Sequence, residues 1–211
     1  ETTFKLLTLC YVVYYFFRKR EIKMPKPVAT ICGLGAYLPK RVLTNQQLET
    51  MVETSDEWIT TRTGISERRI AAEGEECSSM GAQAAKMALE NSHLDASDLD
   101  AIVVATMTPD YLCPNTAALI QSALGAKKSA CIDVMAACSG FMYALSVAKG
   151  WIESGMYKNV LVVSSDKNSA FVDYSDRNTC VLFGDGSGAC VVKRGGPGLA
   201  IRTLALGADG C

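Results

Sequence analysis

The chain has 211 residues, 49% of them hydrophobic, enough to bury the core of one ordinary domain. Its 21 Lys and Arg against 22 Asp and Glu leave a net charge of −1, which gives no electrostatic basis for a nucleic-acid or anionic-membrane partner. Nine cysteines, odd in number, irregular in spacing and without a C-x-x-C, argue for a reduced cytoplasmic protein over a disulfide framework, and a single histidine argues against zinc.

Residues 1–23 differ from the rest. The apolar run Leu6–Phe17 is too short for a helix that spans a bilayer, which needs about 20 residues. Its basic cluster, Arg18-Lys19-Arg20, follows the run, whereas a signal peptide places such a cluster first. The chain opens with Glu1, and Met24-Pro25-Lys26 reads as the start of the domain proper. Residues 1–23 are therefore read as an appended leader, non-native or disordered, and 24–211 as the domain.

From Val28 the pattern is α/β. Val28–Gly33 reads as a buried strand closed by Gly33-Leu34-Gly35. Thr44 caps a helix whose apolar face holds Leu48, Met51 and Val52; Ser55 caps a second, with Asp56 and Glu57 in its first turn and Thr63-Gly64 at its end. Cys77–Asn91 is a small-residue helix with Met80, Ala84, Met87 and Ala88 on its apolar face. Ala101–Thr106 and Val160–Ser165 lack alternation, the mark of strands covered on both sides. Pro114 opens a helix that runs to Leu124. Cys180–Phe183 and Ala189–Val192 flank the glycines of 184–188 and read as a hairpin. The succession predicts a mostly parallel sheet covered by helices. Neither Gly33-x-Gly35 nor Gly184-x-Gly186-x-Gly188 enters a helix as a dinucleotide fingerprint must.

The stretch with chemistry in it runs from Ser129 to Ile152. An apolar β-branched run passes through small residues into helical period, with Phe141, Leu145, Ala148 and Ile152 on one face. Cys138 falls at or just before the first helical turn, where unpaired N–H groups and the helix dipole favour a thiolate. The residue pattern alone leaves open an inert cysteine in a small-residue packing contact.

Four stretches occurring in order settle the direction of the reading. They are Thr54-Ser55-Asp56-Glu57-Trp58-Ile59 with Thr61-Arg62-Thr63-Gly64-Ile65, Ala137-Cys138-Ser139-Gly140-Phe141, Asp176-Arg177, and Phe183-Gly184-Asp185-Gly186-Ser187-Gly188. From about Val28 to Gly210 the chain closely resembles β-ketoacyl-acyl-carrier-protein synthase III, the condensing enzyme that initiates bacterial fatty-acid synthesis. The resemblance implies a thiolase-like αβαβα layered fold built from two similar halves, of which only the first is expected here. It places the family's catalytic histidine and asparagine, and a second oxyanion-hole amide, in the other half. His93, at the end of the Cys77 helix, is read as an exposed terminal residue and no substitute.

Residue by residue, the resemblance makes Cys138 the nucleophile that takes an acyl group from acyl-CoA. It makes Trp58 the stacking partner of the adenine, Arg62 and Arg177 the flanking cations, and Thr54 a coenzyme A contact at the pocket mouth. A flat ring and arginine forks suit those tasks, although the residues alone would equally fit a core tryptophan and solvated arginines. The acyl pocket takes Cys113 and Phe183. Cys113 stands where relatives often carry phenylalanine, so a longer or branched starter would fit as well as acetyl. The implied partners are acyl-CoA, malonyl-acyl-carrier protein and a second copy of the chain, with no nucleic acid, membrane, metal or cofactor beyond the coenzyme A thioester substrate. The alternatives are another thiolase-fold condensing enzyme, either hydroxymethylglutaryl-CoA synthase-like or a polyketide starter ketosynthase, or a non-catalytic fragment.

Overall fold

The computed structural model describes residues 29–209, and the leader expected over 1–23 lies outside them. The described strands are β1 (Ala29–Tyr37), β2 (Arg41–Thr44), β3 (Glu67–Ile70), β4 (Ala101–Ala105), β5 (Ala130–Val134), β6 (Asn159–Lys167), β7 (Asp185–Arg194) and β8 (Leu199–Ala200). The helices are α1 (Asn45–Glu49), α2 (Asp56–Thr63), α3 (Cys77–Ser92), α4 (Thr116–Leu124) and α5 (Gly140–Ser154), with short 3₁₀ turns at Ala96–Asp98, Ala137–Ser139 and Asn168–Ala170.

The two-sided strands behave as their composition demands. No residue of β4 is more than 2% exposed, and Val160–Val163 of β6 are fully buried. Alternate residues divide between two cores. Ile102, Val104, Leu161 and Val163 face Ala84, Ala85 and Ala88 of α3 and Ala117 and Ile120 of α4. Ala101, Val103, Ala105, Val160 and Val162 face Ala144, Leu145, Ala148 and Ile152 of α5. The result is three layers, helix–sheet–helix, as expected for half of an αβαβα stack.

The six strands of the main sheet run in the order β5–β4–β6–β7–β1–β8. β4 is parallel to β5 and β6, whereas β6–β7, β7–β1 and β1–β8 are antiparallel. The sheet is thus mixed, which corrects the expectation of a mostly parallel one. The source of the difference is β7. The glycines of 184–188 form no hairpin turn; they lead into and through one continuous strand that lies between β6 and β1. Gly184, Gly186 and Gly188 have none of the positive φ values that a primed turn requires. Gly184 is small because a Cβ there would lie 2.9 Å from the Cβ of Arg68 on β3. Cys180–Phe183, read as a partner strand, forms none: Cys180–Leu182 is a turn in which Cys180 N–H donates to the Asp176 carbonyl at 3.0 Å.

β1 likewise runs on past its glycines to Tyr37, with a bulge between Ile31 and Gly33. Its glycines admit α3. A Cβ on Gly33 would sit 2.3 Å from the Ala88 carbonyl oxygen, and one on Gly35 only 2.1 Å from that of Ala84. This contact explains the small-residue face of α3; Met87, at the margin of that face, is 46% exposed, and its Sδ accepts from the Ala36 N–H at 3.4 Å. Thr44 and Ser55 cap α1 and α2 as expected, Thr44 through a capping box with Gln47. α1 ends at Glu49, leaving Met51 beyond it and 47% exposed. Asn115, not Pro114, caps α4, and the Asp133 carboxylate of β5 accepts from the Thr116 and Ala117 N–H groups at 2.7 and 2.8 Å. A third cluster, Leu43, Leu48, Ile59, Ile70, Cys180 and Val181, holds the antiparallel β2–β3 pair, α1 and α2 to the 180–181 turn.

Two glycine substitutions should act in opposite directions. Gly35→Ala drives a methyl into helix backbone and should cost about 3 kcal/mol or more, by analogy with overpacked cores. Gly150→Ala, in the exposed middle of α5 with nothing near an added Cβ, should stabilise by about 0.5–1 kcal/mol. Urea midpoints at unchanged slope check both; a neutral Gly35→Ala would contradict the packing of α3 on β1.

Candidate active site

Cys138 sits in the Ala137–Ser139 turn between β5 and α5, and its side chain is exposed. It lies two residues before the first residue of α5, as the sequence pattern placed it. The turn is tight. Ser139 donates its N–H and its hydroxyl to the Ala136 carbonyl at 3.2 and 2.8 Å. Ala137, immediately before the thiol, has φ 45°, a left-handed value that L-residues avoid and that clusters at functional sites. Gly140, immediately beyond Ser139, lets α5 settle on the end of β4: a Cβ there would approach the Ala105 Cβ to 3.1 Å. The thiol is thereby held at the C-terminal ends of the parallel strands β4 and β5, where open α/β sheets bind ligands.

Trp58 and Arg62 stand one helical turn apart on α2, and Arg177 comes from the 176–182 turn. The structure brings these three sequence-singled residues together. The Arg62 and Arg177 guanidinium carbons lie 4.5 and 4.4 Å from the Trp58 ring centroid. Such contacts contribute about 0.5–1 kcal/mol each when exposed. Thr54, just before α2, is half-buried, and its hydroxyl is buried without a hydrogen-bond partner among the described residues.

Phe183 is 40% exposed and lines a concavity of about 360 Å³ with Asn168, Phe171, Val172, Asp173 and Thr179. Cys113 is exposed on the loop between β4 and α4 and does not line that concavity. The two residues assigned to one acyl pocket are therefore not joined in a single cavity of this chain. His93 caps α3 with φ 52° and is exposed, at the end of α3 away from Cys77. Because Cys77 contacts Ser165 near the C-terminal end of β6, His93 lies at the opposite edge of the sheet from Cys138.

The remaining thiols set Cys138 apart by contrast. Burial pushes the Cys77 thiol up to about 11 and the Cys190 thiol up to about 12. Burial also raises Cys32, Cys131 and Cys180. Among the described cysteines only Cys113 and Cys138 are exposed.

Some residues that shape the site carry no motif of their own. Ala137 is one, since its strain is a backbone property. Asn45, fully buried, and Arg68, 5% exposed, join α2 to the 180–182 turn by side-chain hydrogen bonds. Asp185 is another: 4% exposed, it accepts from the Ala71 N–H at 2.7 Å and from the Ser169 N–H and hydroxyl at 2.8 and 2.5 Å. An acidic residue between glycines in an otherwise apolar strand was the available signal for Asp185.

Comparison with known proteins agrees with this geometry. The sequence model of the family 3-oxoacyl-[acyl-carrier-protein (ACP)] synthase III matches residues 132–210. The beta-ketoacyl-[acyl-carrier-protein] synthase III of Chlamydia muridarum is 58% identical over 183 residues, which cover 86% of this chain and 56% of that protein. The crystal structure of the 3-oxoacyl-[acyl-carrier-protein] synthase III of Aquifex aeolicus superposes with a TM-score of 0.78 at 56% identity, covering 79% of this chain and 54% of that one. The synthase III of Thermus thermophilus gives a TM-score of 0.81 at 47% identity, covering 86% and 56%. The chain thus spans about half the length of the relatives it matches.

Thiol accessibility yields a direct check. Brief treatment with iodoacetamide at neutral pH should label Cys138 ahead of Cys113, and both well ahead of Cys32, Cys77, Cys131, Cys180 and Cys190. Raising the pH to about 9, where an ordinary thiol is largely ionised, should leave Cys77 and Cys190 protected because their thiols remain protonated. Peptide mass spectrometry reads the order; Cys77 labelled before Cys138 in folded protein would contradict it.

Proposed function

We propose that this chain belongs to the 3-oxoacyl-[acyl-carrier-protein] synthase III family, whose model matches residues 132–210, and that it carries the acyl-transfer half of a condensation that initiates fatty-acid synthesis. In that reaction the Cys138 sulfur attacks the carbonyl carbon of an acyl-CoA thioester. The carbon–sulfur bond to coenzyme A breaks, the acyl group remains on Cys138, and coenzyme A leaves with the proton as free thiol. N–H groups at the start of α5 face the charge that develops on the carbonyl oxygen. The observation that carries the proposal is the exposed Cys138 thiol on a strained turn at the strand ends, with Ala137 at φ 45°.

Recognition of coenzyme A falls to the Trp58 platform. An adenine ring stacks on Trp58 by displacing one of the two guanidiniums that lie over the ring, and the two arginines supply charge for the phosphates. Rotation of the Thr54 side chain would offer its unpartnered hydroxyl to the same ligand. Phe183 borders the acyl group of its own chain, and Cys113, which does not line the same concavity, reaches the acyl group of a second copy. The small Cys113 side chain admits a longer or branched starter.

In the second step malonyl-acyl-carrier protein is decarboxylated and its carbanion attacks the acyl-cysteine. That step requires groups beyond those of residues 24–211, which we take as one half-domain. The sequence has one histidine, and His93 lies at the wrong edge of the sheet. A second copy of the chain is the proposed partner at β5, an edge strand whose Ile132 is 39% exposed; the loop between β4 and α4 also exposes Tyr111 and Leu112, at 62% and 97%. Seven described cysteines are free thiols, which supports a reducing, cytoplasmic setting.

Incubation with a short acyl-CoA should add the acyl mass to the peptide containing Cys138, and Cys138→Ser should abolish the adduct. Trp58→Ala should raise the acyl-CoA concentration needed by about ten-fold, with the iodoacetamide rate at Cys138 unchanged. Condensation with malonyl-acyl-carrier protein by these 211 residues alone should be negligible. An adduct that persists in Cys138→Ser at the wild-type level would overturn the proposal.

A further inference from the structure

The Trp58 stack is assembled from two parts of the chain that are far apart in sequence. Trp58 and Arg62 ride on α2, whereas Arg177 belongs to the 176–182 turn. Ring–guanidinium contacts are weak and cannot by themselves set the separation of the two supports. Something stiffer must do so, and the buried pair Asn45 and Arg68 lies between them.

Asn45 is wholly buried at the start of α1. Its side-chain NH₂ donates to the Asp56 carboxylate at 2.7 Å and to the Ile65 carbonyl at 2.7 Å. Those two acceptors lie at opposite ends of α2, its first residue and the residue just beyond its Gly64 cap, so one amide clamps the whole helix. The Asn45 side-chain oxygen accepts from Arg68 Nη2 at 2.9 Å. The same Nη2 donates to the Val181 carbonyl at 3.0 Å, while Nη1 donates to the Leu43 carbonyl at 3.1 Å. Arg68 thus grips the turn that carries Arg177 and, through Asn45, the helix that carries Trp58. None of its three hydrogen-bond acceptors is a carboxylate. A buried guanidinium without a counter-ion is a costly way to cross-link backbone, and two apolar side chains would fill the same volume more cheaply. What they could not supply is directional, fixed-length bonds to both supports at once.

We propose that Asn45 and Arg68 are positioning residues for the nucleotide end of coenzyme A. The inference rests on the assignment of Trp58, Arg62 and Arg177 to that ligand. The relay sets the gap between α2 and the 176–182 turn, and hence whether Arg177 and Arg62 can both reach the tryptophan ring.

Asn45→Asp is the sharpest variant. It keeps the shape and the acceptor for Arg68 but replaces the donor face with an oxygen that repels Asp56. Arg68→Lys is the second, keeping charge but losing the planar fork that holds Leu43 through Nη1 while Nη2 reaches Val181 and Asn45. Both are made in the 211-residue chain carrying Trp151→Phe, so that fluorescence reports Trp58 alone. Acrylamide quenching reads the stack without ligand, titration with coenzyme A reads its use, and the iodoacetamide rate at Cys138 reads the rest of the site. Each variant should show quenching raised about two-fold and coenzyme A affinity lowered about ten-fold, with Cys138 labelling within about two-fold of the parent. Unchanged quenching in a folded variant would overturn the relay. Loss of Cys138 labelling in step with quenching in both variants would also overturn it, since the pair would then support the fold at large. If the parent chain fails to bind coenzyme A while the variants still change quenching, the ligand assignment falls and the relay stands as a fixture of the stack.

Discussion

The close approach of α5 to the end of β4 is the constraint from which the rest of the site follows. β4 is buried on both faces and fixes the plane of the sheet. At position 140 the helix meets that strand with no side chain between them, since a Cβ would already lie 3.1 Å from Ala105. Four residues, Met135–Cys138, must then carry the chain from the end of β5 to the Ser139 cap. The short reach forces Ala137 into the left-handed region and leaves Cys138 outside both layers. Exposure of the thiol is thus a consequence of packing two residues away. A larger residue at 140 would push α5 away from Ala105 and so displace the turn that now holds the sulfur in place.

Seen beside the other described cysteines, that exposure is selective. Cys77 and Cys190 are packed into the cores and their thiols are driven to about 11 and 12. They serve as small hydrophobes. Cys138, one chain segment away from the same core, faces solvent because the turn projects it there. The Trp58 stack follows a different logic. Weak, half-buried ring contacts are given a definite geometry by strong hydrogen bonds buried beneath them, from Arg68 and Asn45 to α2 and the 180–182 turn.

Elements with a local signal were legible in the sequence. The caps at Thr44 and Ser55, the two-sided strands β4 and β6, the small-residue face of α3 and the site of Cys138 all depend on neighbours close in the chain. Features that depend on distant partners were not. Gly35 reads as a breaker until the Ala84 carbonyl is placed 2.1 Å from its absent side chain. Glycines 184–188 read as a turn because the antiparallel neighbours that make them a strand, β1 and β6, lie at long sequence separation. Arg68 looks like one of several surface arginines in Glu67-Arg68-Arg69; only burial and its three acceptors reveal its part in the stack. Of the residues assigned by motif, Trp58, Arg62 and Arg177 came together in space. Cys113 and Phe183 did not share a cavity, because they lie on separate loops, one before α4 and the other before β7.

The central claim is that the Cys138 turn and the Trp58 platform serve one ligand. Protection of Cys138 from iodoacetamide by free coenzyme A tests it most directly, because the probe reacts at one region and the nucleotide binds at the other. The account predicts that saturating coenzyme A slows labelling of Cys138 about five-fold or more in the parent chain, and that Trp58→Ala removes the protection at the same concentration. Labelling of Cys138 that is indifferent to bound coenzyme A, or protection that survives Trp58→Ala undiminished, would contradict it.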